Sequence, residues 1–359
     1  MTVLCITSNK LQQLMNRERL DLYEAMAKQG AVIHNIEEQN NCGDNLPSLL
    51  EHYARQGQNI QAIIFEEISW LIKLDFKLDF QNANDVHIPI ASFMTDFWMY
   101  SDELEKHINK LNISSLIFAH DAGYGYLKNR FPQIRHLIFS PFCIRTENFT
   151  PGKTEKTIDV LNTNGTHPVT PFRNRLYDLL PALNERDVNF YQLEHPGKRK
   201  QDEKTDRLQE SYIDLLHKSC FVIADTTMYN LSVRKYYEIM AAGSTVLGNE
   251  TGYPEHANVR KNYVCIKESM SDEEILSTIC EAVKAKETYN KKALELSAEA
   301  RHKFGMETIA KNLIANLLAS NLQHTSGIII RPHELEQIER QKKKKAVDQL
   351  KKKVLAWRK

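Results

Sequence analysis

The residues at 232–249, SVRKYYEIMAAGSTVLGN, combine charged side chains with a pattern that predicts a helix. The helix is expected from Val233 to Ala242, because Gly243 is typical of the position just after a helix and an apolar strand follows it. Arg234 and Glu238 are four residues apart, so they lie on the same face of this helix. A basic and an acidic group one turn apart can bind a ligand or pair with each other.

Two interpretations of this helix remain open on spacing alone. If its N-terminal end faces a cleft, the backbone N–H groups there suit a phosphate. Glu238 could then accept hydrogen bonds from sugar or ribose hydroxyls. In the other interpretation, Arg234 and Glu238 form an ordinary surface ion pair on a helix of an α/β protein.

Three other predicted loops carry polar residues after apolar strands. Asp225 and Thr226 could contact a sugar or cap the next helix. Gly165 and Thr166 could approach a phosphate, although turn formation alone also explains the glycine. His195, in a His-Pro-Gly turn, could contact a base or brace the turn. Each of these residues therefore has a structural alternative.

Short apolar runs alternate with amphipathic stretches, which predicts parallel sheets covered by helices on both faces. The first series of predicted strands is Val3–Thr7, Ala31–Ile36, Ala62–Phe65, Ile88–Phe93, Ser115–Phe118 and His136–Phe139. The second series is Thr157–Leu161, Val188–Leu193, Cys220–Ala224, Thr245–Leu247 and Tyr263–Ile266. Further predicted helices are Arg17–Lys28, Ser101–Leu111, Asn174–Leu183, Asp206–Leu216, Asp272–Lys286 and Tyr289–Phe304.

The segment 140–156, SPFCIRTENFTPGKTEK, interrupts this alternation with prolines, a glycine and charges, which is typical of a linker. We therefore predict an N-terminal domain at 1–150 and a second domain at 151–320. A last segment, 321–359, is expected to cross over from the second domain and to end in a basic amphipathic tail. Two α/β domains joined in this way form a cleft, and ligands bind near the carboxyl ends of the strands.

The segment RKYYEIMAAGSTVLGNE resembles the signature helix, turn and strand of nucleotide-sugar glycosyltransferases with the GT-B fold, in the group 1 and spore-maturation-protein-like branch. Other pieces occur in the family's order: the linker PFCIRTENFTP, the Gly165 loop with Arg173, and the turn at His195. Residues 272–318 are similar to the family's closing helices. The resemblance covers roughly residues 135–320 and is most specific around Glu238.

This resemblance implies two Rossmann-like parallel-sheet domains that face each other across a cleft, followed by a basic C-terminal helix. The first domain would bind the acceptor and the second the nucleotide sugar. Glu238 would bind ribose or sugar hydroxyls of the donor, with the backbone amides of Ala242 and Gly243 as less direct contributors. The basic candidates for the diphosphate are Arg234, Lys235 and Arg173.

Two departures from the family pattern bear on the donor site: the residue at position 230, and the family's basic pair for the diphosphate, for which nothing stands out beyond the candidates Arg234, Lys235 and Arg173. Retaining members often carry a second glutamate eight residues before the helix glutamate, and this chain has Asn230 there. That departure leaves the stereochemical outcome open. No DxD motif follows a candidate donor strand, since the aspartates of Asp75-Phe76-Lys77-Leu78-Asp79 have the wrong spacing. We therefore expect no metal and no cofactor, with the nucleotide sugar as a substrate.

In an enzyme of this fold, the N-terminal half binds the acceptor. Polar groups follow three of its predicted strands, at Glu66-Glu67, Thr95-Asp96 and His120-Asp121. Asp96 stands beside Phe97 and Trp98, and aromatic faces next to a carboxylate suit a sugar ring. Asp96 and His120 are candidates for the general base of an inverting transfer. Alternatively, these strand-end residues cap the helices that follow.

The composition is that of two soluble globular domains, with 359 residues of which 42% are hydrophobic and 26% charged. The six cysteines are dispersed without a CxxC pair, which indicates neither a zinc site nor a disulfide framework. With no recognisable secretory leader or membrane span in the sequence, we expect a cytoplasmic protein. The GxSxG, GxxxxGK[ST], HExxH and GxGxxG motifs are absent from the sequence, which disfavours the corresponding enzyme classes.

The residues at 333–359 predict a basic amphipathic helix, with Val347, Leu350, Val354 and Trp357 roughly on one face. They carry ten basic and four acidic side chains, whereas residues 1–332 carry 37 basic and 42 acidic ones. Such a helix can lie on an anionic membrane surface, and the alternative is a solvated tail. The net negative charge of the remaining chain disfavours nucleic acid as a partner.

Three functions follow from these observations. The leading hypothesis is a glycosyltransferase of cell-surface glycan assembly, with a glycan or lipid-linked acceptor that would explain attachment to the inner face of the membrane. Asn230 motivates the second, a noncatalytic scaffold that binds nucleotide sugars. The lysine-rich tail motivates the third, a glycosyltransferase that acts on modified nucleic acid.

Deletion of residues 333–359 tests the basic tail. We expect the truncated chain to lose sedimentation with vesicles that contain anionic lipid, because the deleted segment carries a net charge of +6. Vesicles of neutral lipid provide the control. Unchanged binding to anionic vesicles would eliminate the membrane role, and unchanged binding to DNA would eliminate a nucleic-acid role.

Overall fold

The computed structural model describes residues 2–8, 17–37, 45–67, 80–94, 101–120, 124–166, 170–193, 205–224, 233–249 and 262–319. Within these residues the chain forms two parallel β-sheets with helices between most successive strands. The predicted strands are confirmed, and their ends differ from the observed ones by no more than two residues. The prediction of two Rossmann-like parallel-sheet units is confirmed as well, and the basic tail lies outside the described residues.

The first sheet has six parallel strands in the order β2-β1-β3-β4-β5-β6. Its strands are β1 (Thr2–Thr7), β2 (Val32–Asn35), β3 (Ile60–Phe65), β4 (Ile90–Phe93), β5 (Ser115–Phe118) and β6 (His136–Phe139). Its helices are α1 (Arg17–Lys28), α2 (Leu46–Arg55), α3 (Ser101–Lys110) and α4 (Tyr124–Arg130).

The second sheet has five parallel strands in the order β11-β10-β9-β7-β8. Its strands are β7 (Ile158–Asn162), β8 (Phe190–Gln192), β9 (Ser219–Ile223), β10 (Thr245–Gly248) and β11 (Tyr263–Cys265). The helices from this part of the chain are α5 (Pro171–Leu179), α6 (Thr205–Lys218), α7 (Arg234–Ala241), α8 (Asp272–Lys284), α9 (Lys286–Phe304) and α10 (Met306–Ala319).

The strands read as nearly continuous apolar runs because both faces of each sheet are covered. In β1, Leu4 and Ile6 belong to one hydrophobic cluster, whereas Val3 and Cys5 belong to another on the opposite face. Side chains alternate along a strand, so a single strand contributes to both clusters. The same alternation in the second sheet places Leu161 on one face and Val160 on the other.

Two helices begin at residues that are typical of a helix N-terminus. Asn45 precedes α2 and its side chain accepts a hydrogen bond from the Ser48 N–H at 2.9 Å. At α8, the Ser271 hydroxyl accepts from the Glu274 N–H, and the Glu274 carboxylate accepts from the Ser271 N–H. Such reciprocal caps satisfy N–H groups that a helix leaves without internal partners.

The last described helix, α10, packs on the first sheet rather than the second. Met306, Ile309, Leu313 and Leu317 lie in the hydrophobic cluster that also contains Met26 of α1. The chain therefore passes between the two sheets twice, once in the linker after β6 and once between α9 and α10. The predicted domain limits at 150 and 320 stay predictions, although by packing α10 belongs with the first sheet.

The two chain passages are hydrogen-bonded to each other. The Ile144 N–H donates to the Phe304 carbonyl at 2.9 Å, and the Met306 N–H donates to the Ile144 carbonyl at 3.1 Å. Arg145 also forms an ion pair with Asp21 of α1. A cavity of about 450 Å³ lies beside these contacts, and its lining residues come from α1, the linker and the junction of α9 with α10.

The cysteines and the apolar helices bear on two expectations from the sequence, namely the lack of a disulfide framework and of a membrane span. The five cysteines within the described ranges are all free thiols. Among the helices that the structure describes, none is both long and apolar enough to span a membrane.

Lys156, just before β7, is a half-buried cation. Its ammonium group donates to the Ser219 carbonyl at 2.8 Å and to the Ser244 hydroxyl at 2.7 Å. Burial lowers the pKa of Lys156 to about 8, from an ordinary value of 10.5. Because the folded state releases the Lys156 proton at a lower pH than the unfolded state, this lysine opposes folding most strongly below pH 8.

Replacing this lysine tests that assignment. We expect Lys156→Met to raise the free energy of unfolding at pH 7, by at most about 3 kcal/mol, since one pKa unit corresponds to about 1.4 kcal/mol. The advantage should shrink as the pH rises from 8 to above 10.5, because the wild-type lysine is then neutral in both states.

Chemical denaturation of both proteins across this pH range measures the difference directly, and groups that titrate in both proteins cancel. Lys153→Met, at an exposed lysine of the same linker, is the matched control. A Lys156→Met effect that does not vary with pH would contradict a lowered lysine pKa.

Candidate functional site

Glu238 lies in the middle of α7 and is only 9% exposed. Its Oε2 accepts a hydrogen bond from the Tyr212 hydroxyl of α6 at 2.9 Å, and its Oε1 lies 2.9 Å from Arg234 Nε. The i, i+4 pair expected from the sequence is therefore present, but it is not an ordinary pair on an open surface. Two helices enclose one carboxylate.

Tyr212 is held as a hydrogen-bond donor. Burial raises the pKa of Tyr212 well above its ordinary value, and the neighbouring Glu238 carboxylate raises this pKa further. The phenol therefore keeps its proton throughout the physiological pH range. Since a carboxylate only accepts hydrogen bonds, the direction of this bond is fixed.

The N-terminal end of α7 is fastened to the carboxyl ends of two strands. The Tyr236 hydroxyl lies 3.0 Å from the Ala224 carbonyl after β9 and 3.2 Å from the Asn249 carbonyl after β10. Gly248 permits this close approach, because a Cβ atom there would lie 1.6 Å from the Ala224 carbonyl oxygen. The helix start is thus placed at the sheet edge where ligands of parallel α/β sheets bind.

Lys235 connects α7 to the loop after β7. Its ammonium donates to Asn164 Oδ1 at 2.5 Å, and the Asn164 N–H donates to Asn162 Oδ1 at 3.0 Å. Gly165 and Thr166 come next in the same loop. Lys235, one of the candidates for the diphosphate, therefore contacts the loop that contains Gly165 and Thr166, which were predicted to approach a phosphate.

The start of α7 has the features of an anion site. The residue before the helix is Val233, whose side chain has no acceptor atom, and the first turn contains Arg234 and Lys235 but no acid. The first N–H groups of a helix have no intrahelical partners and carry partial positive charge. A negatively charged ligand would meet these groups together with the Lys235 ammonium.

The remaining predicted residues of the second domain lie in different places. Arg173 is half-buried in the first turn of α5, the helix that follows the Gly165 loop along the chain. His195, Asp225 and Thr226 lie outside the described residues. Whether these four residues contact a donor stays a prediction.

Ala242 and Gly243 lie at the far end of α7 from Lys235. Their N–H groups donate to the Glu238 and Met240 carbonyls, at 3.0 Å and 3.1 Å. Gly243 has φ +70°, and a Cβ atom there would lie 2.9 Å from Pro151 Cβ. The end of the helix and its packing on the linker therefore explain why small residues stand at these two positions. Contact of their amides with a donor stays a prediction.

His120 ends β5 and is 4% exposed. Its ring meets the edge of Phe142 in the linker, with centroids 5.2 Å apart, and Phe142 lies 6.3 Å from the ring of Tyr237. Because Tyr237 precedes Glu238, two ring contacts join His120 to the helix of the second sheet. Asp96, the other candidate base, lies outside the described residues.

Glu66, at the end of β3, is buried in the first sheet's own packing. Its Oε1 lies 3.5 Å from Arg19 Nε, and the Arg19 guanidinium carbon lies 3.5 Å from the centroid of the Phe93 ring. Burial raises the pKa of Glu66, and the positive charge of Arg19 opposes that rise. The Arg19 ion pair compensates part of the cost of burying this carboxylate.

Tyr212, Asn164 and Phe142 were not predicted as site residues. A signal for Tyr212 was available, because it is four residues before the buried Leu216 in the predicted α6 and so places a hydroxyl on the apolar face of that helix. Asn164 and Phe142 gave no comparable signal. Across the described ranges, no group of three or more His, Cys, Asp or Glu side chains could hold a metal ion.

Comparison with solved structures gives matches over most of the chain. Sucrose-phosphate synthase from Thermosynechococcus elongatus superposes with a TM-score of 0.52 at 12% identity, over 89% of this chain and 100% of that one. A glycosyltransferase from Rickettsia africae gives 0.55 at 10% identity, over 90% and 99%. HepE of Anabaena, in complex with UDP and glucose, gives 0.56 at 12% identity, over 88% and 99%.

The chain has the GT-B fold. The matching chains are covered almost end to end, so both sheets and their connection are shared. No protein-family model matches the sequence, and comparison with curated proteins finds no relative. The architecture predicted from the α7 segment is therefore confirmed by structure. Because the sequence identities to these solved structures are only 10–12%, the likeness establishes the fold and not the activity.

Proposed function

We propose that this GT-B chain is a glycosyltransferase that moves a sugar from a nucleotide-sugar donor to an acceptor hydroxyl. The observation that carries the proposal is the pairing, on α7, of a basic helix start with a buried carboxylate one turn further on. Phosphates suit the helix start and hydroxyl groups suit the carboxylate. A nucleotide sugar presents both groups within one molecule.

In the proposed reaction, the acceptor oxygen forms a bond to the anomeric carbon while the bond from that carbon to the diphosphate breaks. The acceptor proton passes to a base, and the nucleoside diphosphate leaves. Negative charge grows on the leaving diphosphate, so the Lys235 ammonium and the α7 N–H groups would stabilise it. Arg173 and Arg234 are further candidates for this role.

The first domain would bind the acceptor. If the transfer inverts the anomeric centre, a base must reach the acceptor hydroxyl, and Asp96 or His120 would serve. The ring contacts from His120 through Phe142 to Tyr237 support His120, since they bring this strand end next to the donor helix. A retaining transfer has no such requirement.

We further propose that the donor site works without a metal. We also propose that the protein belongs to the group 1 and spore-maturation-protein-like branch of these enzymes. Cationic and amide groups at α7 would take over the charge neutralisation that a divalent ion gives elsewhere. HepE, which shares the fold, is solved with UDP-glucose as well as with UDP and glucose. We therefore include uridine diphosphate sugars in the panel of donors.

A glycan or lipid-linked acceptor of the cell surface would fit the basic segment 333–359, which could hold a cytoplasmic enzyme at the inner face of the membrane. A second candidate function is a noncatalytic scaffold that binds nucleotide sugars. The observation that favours it is Asn230, which stands where retaining members often have a glutamate.

Glu238→Gln tests the donor carboxylate with little change in volume. We expect kcat/KM for the donor to fall about 10- to 100-fold, because hydrogen bonds to a charged acceptor become bonds to a neutral one. Release of nucleoside diphosphate from a panel of sugar nucleotides measures the effect, and Glu238→Ala should abolish release in a folded protein. Glu281→Gln, at an exposed glutamate of α8, is the matched control.

The same assay separates the two functions. Donor binding without turnover, for all donors and acceptors tested, would establish the scaffold instead of the enzyme. Full activity of a folded Glu238→Ala protein would contradict the assigned role of this carboxylate.

Lys235→Gln tests the anion site. We expect the affinity for a nucleoside diphosphate to fall about tenfold, with little change for the nucleoside, because only the phosphates meet the lysine charge. Calorimetry at two salt concentrations measures the affinities for the nucleoside and for the nucleoside diphosphate. Lys291→Gln, at an exposed lysine of α9, is the control. An equal loss for nucleoside and nucleoside diphosphate would place Lys235 away from the phosphates.

A further inference from the structure

His217, in the last turn of α6, stands between a hydrogen-bond donor and a hydrogen-bond acceptor of the linker. Its ring nitrogen Nε2 lies 3.3 Å from the Thr150 backbone nitrogen and 3.4 Å from the Asn148 carbonyl oxygen. The residue is buried, with 7% exposed, and its ring centroid lies 6.1 Å from that of Phe149. One nitrogen atom therefore faces two linker groups of opposite hydrogen-bonding character.

These two contacts exclude each other. An imidazole nitrogen accepts a hydrogen bond when it carries no proton and donates one when it does. The Ala242 carbonyl at the end of α7 also accepts a hydrogen bond from the ring. A neutral ring can therefore serve Ala242 and the Thr150 N–H together only with its proton on Nδ1. When both nitrogens are protonated, Nε2 donates to the Asn148 carbonyl and the Thr150 N–H loses its acceptor.

Charged groups on three elements surround this contact. The linker contributes the Lys156 ammonium, and α6 contributes Asp214, which pairs with Lys218 at 2.6 Å. Arg301 of α9 donates to the carbonyl of Phe149, at 3.4 Å. The ring thus has one nearby cation, Lys156, whose charge competes with its own.

Burial lowers the pKa of His217 below its ordinary value of 6.5, the Asn148 carbonyl opposes that change, and the charge of Lys156 lowers the pKa further. The ring is therefore neutral at pH 7 and takes up a proton in acid. A histidine with a lowered pKa in the folded state costs stability as the pH falls below 6.5, because the unfolded chain binds the proton more tightly. That cost acts on the contacts between the ring and the linker.

We propose that His217 is a proton-operated switch on the linker. At neutral pH the ring holds the Thr150 N–H, and in acid it releases this group and holds the Asn148 carbonyl instead. The linker is one of the two chain passages between the sheets, so the switch makes the connection between them respond to pH. This response does not depend on which ligand the chain binds.

Amide hydrogen exchange at Thr150 in the full chain tests the switch. Its protection, corrected for the intrinsic pH dependence of exchange, should fall about tenfold from about pH 7 to about pH 5, because the N–H loses its acceptor. The Ile144 amide, which donates to the Phe304 carbonyl at 2.9 Å, is the internal reference and should keep its protection. Mass spectrometry with fragmentation to single residues measures both amides.

Three variants connect the pH dependence to the ring. His217→Gln places an uncharged amide near the position of Nε2, so the protection of Thr150 should no longer vary with pH. His87→Gln, at an exposed histidine of the first domain, is the matched control and should behave as the wild type. Lys156→Met removes the competing cation and should move the loss of protection to higher pH.

The outcomes are distinct. Protection of Thr150 that is equal at both pH values in the wild type would overturn the switch. The wild-type pH dependence in a folded His217→Gln protein would overturn it as well. If that variant does not fold, Lys156→Met decides, since an unmoved midpoint would assign the pH dependence to a group other than His217. Melting temperatures establish which variants are folded.

Discussion

The cost of burying the Glu238 carboxylate is the constraint on which the rest of the second domain depends. A carboxylate removed from water needs both a compensating charge and hydrogen-bond donors. Arg234 supplies the charge and Tyr212 supplies a donor, so α6 and α7 must meet at this point. The start of α7 is in turn fixed by Tyr236 on the ends of β9 and β10. A ligand that arrives at this sheet edge therefore meets groups whose geometry is set before it binds.

The architecture could be predicted from the sequence because buried parallel strands are short apolar runs, and such runs are visible without a structure. Short helices were harder. The seven residues of α4 are too few to show a helical period, and α2 was missed although Asn45 and Pro47 are typical of a helix start. The helix expected at 174–183 instead begins at Pro171 and continues after Leu179 as a tighter 3-10 segment, Leu180–Arg186.

The site was predictable only where it is local in sequence. Arg234 and Glu238 are one turn apart, so periodicity alone placed them on one face. Tyr212 and Asn164 meet α7 only because the sheet brings three separate loops and helices to one edge, and no pattern within α7 encodes those meetings. The position of the Phe142 ring between His120 and Tyr237 likewise depends on how the linker lies between the two sheets.

The return of α10 to the first sheet has a consequence for biosynthesis. During translation, β1 to β6 leave the ribosome first, yet α10, whose residues 306–317 share a hydrophobic cluster with Met26 of α1, is made after the second sheet. The second sheet is synthesised in the interval and can close around its own clusters before then. The sheet that is made first thus receives part of its cover late, and the apolar face of α1 that α10 packs on is a natural client for a chaperone until α10 emerges.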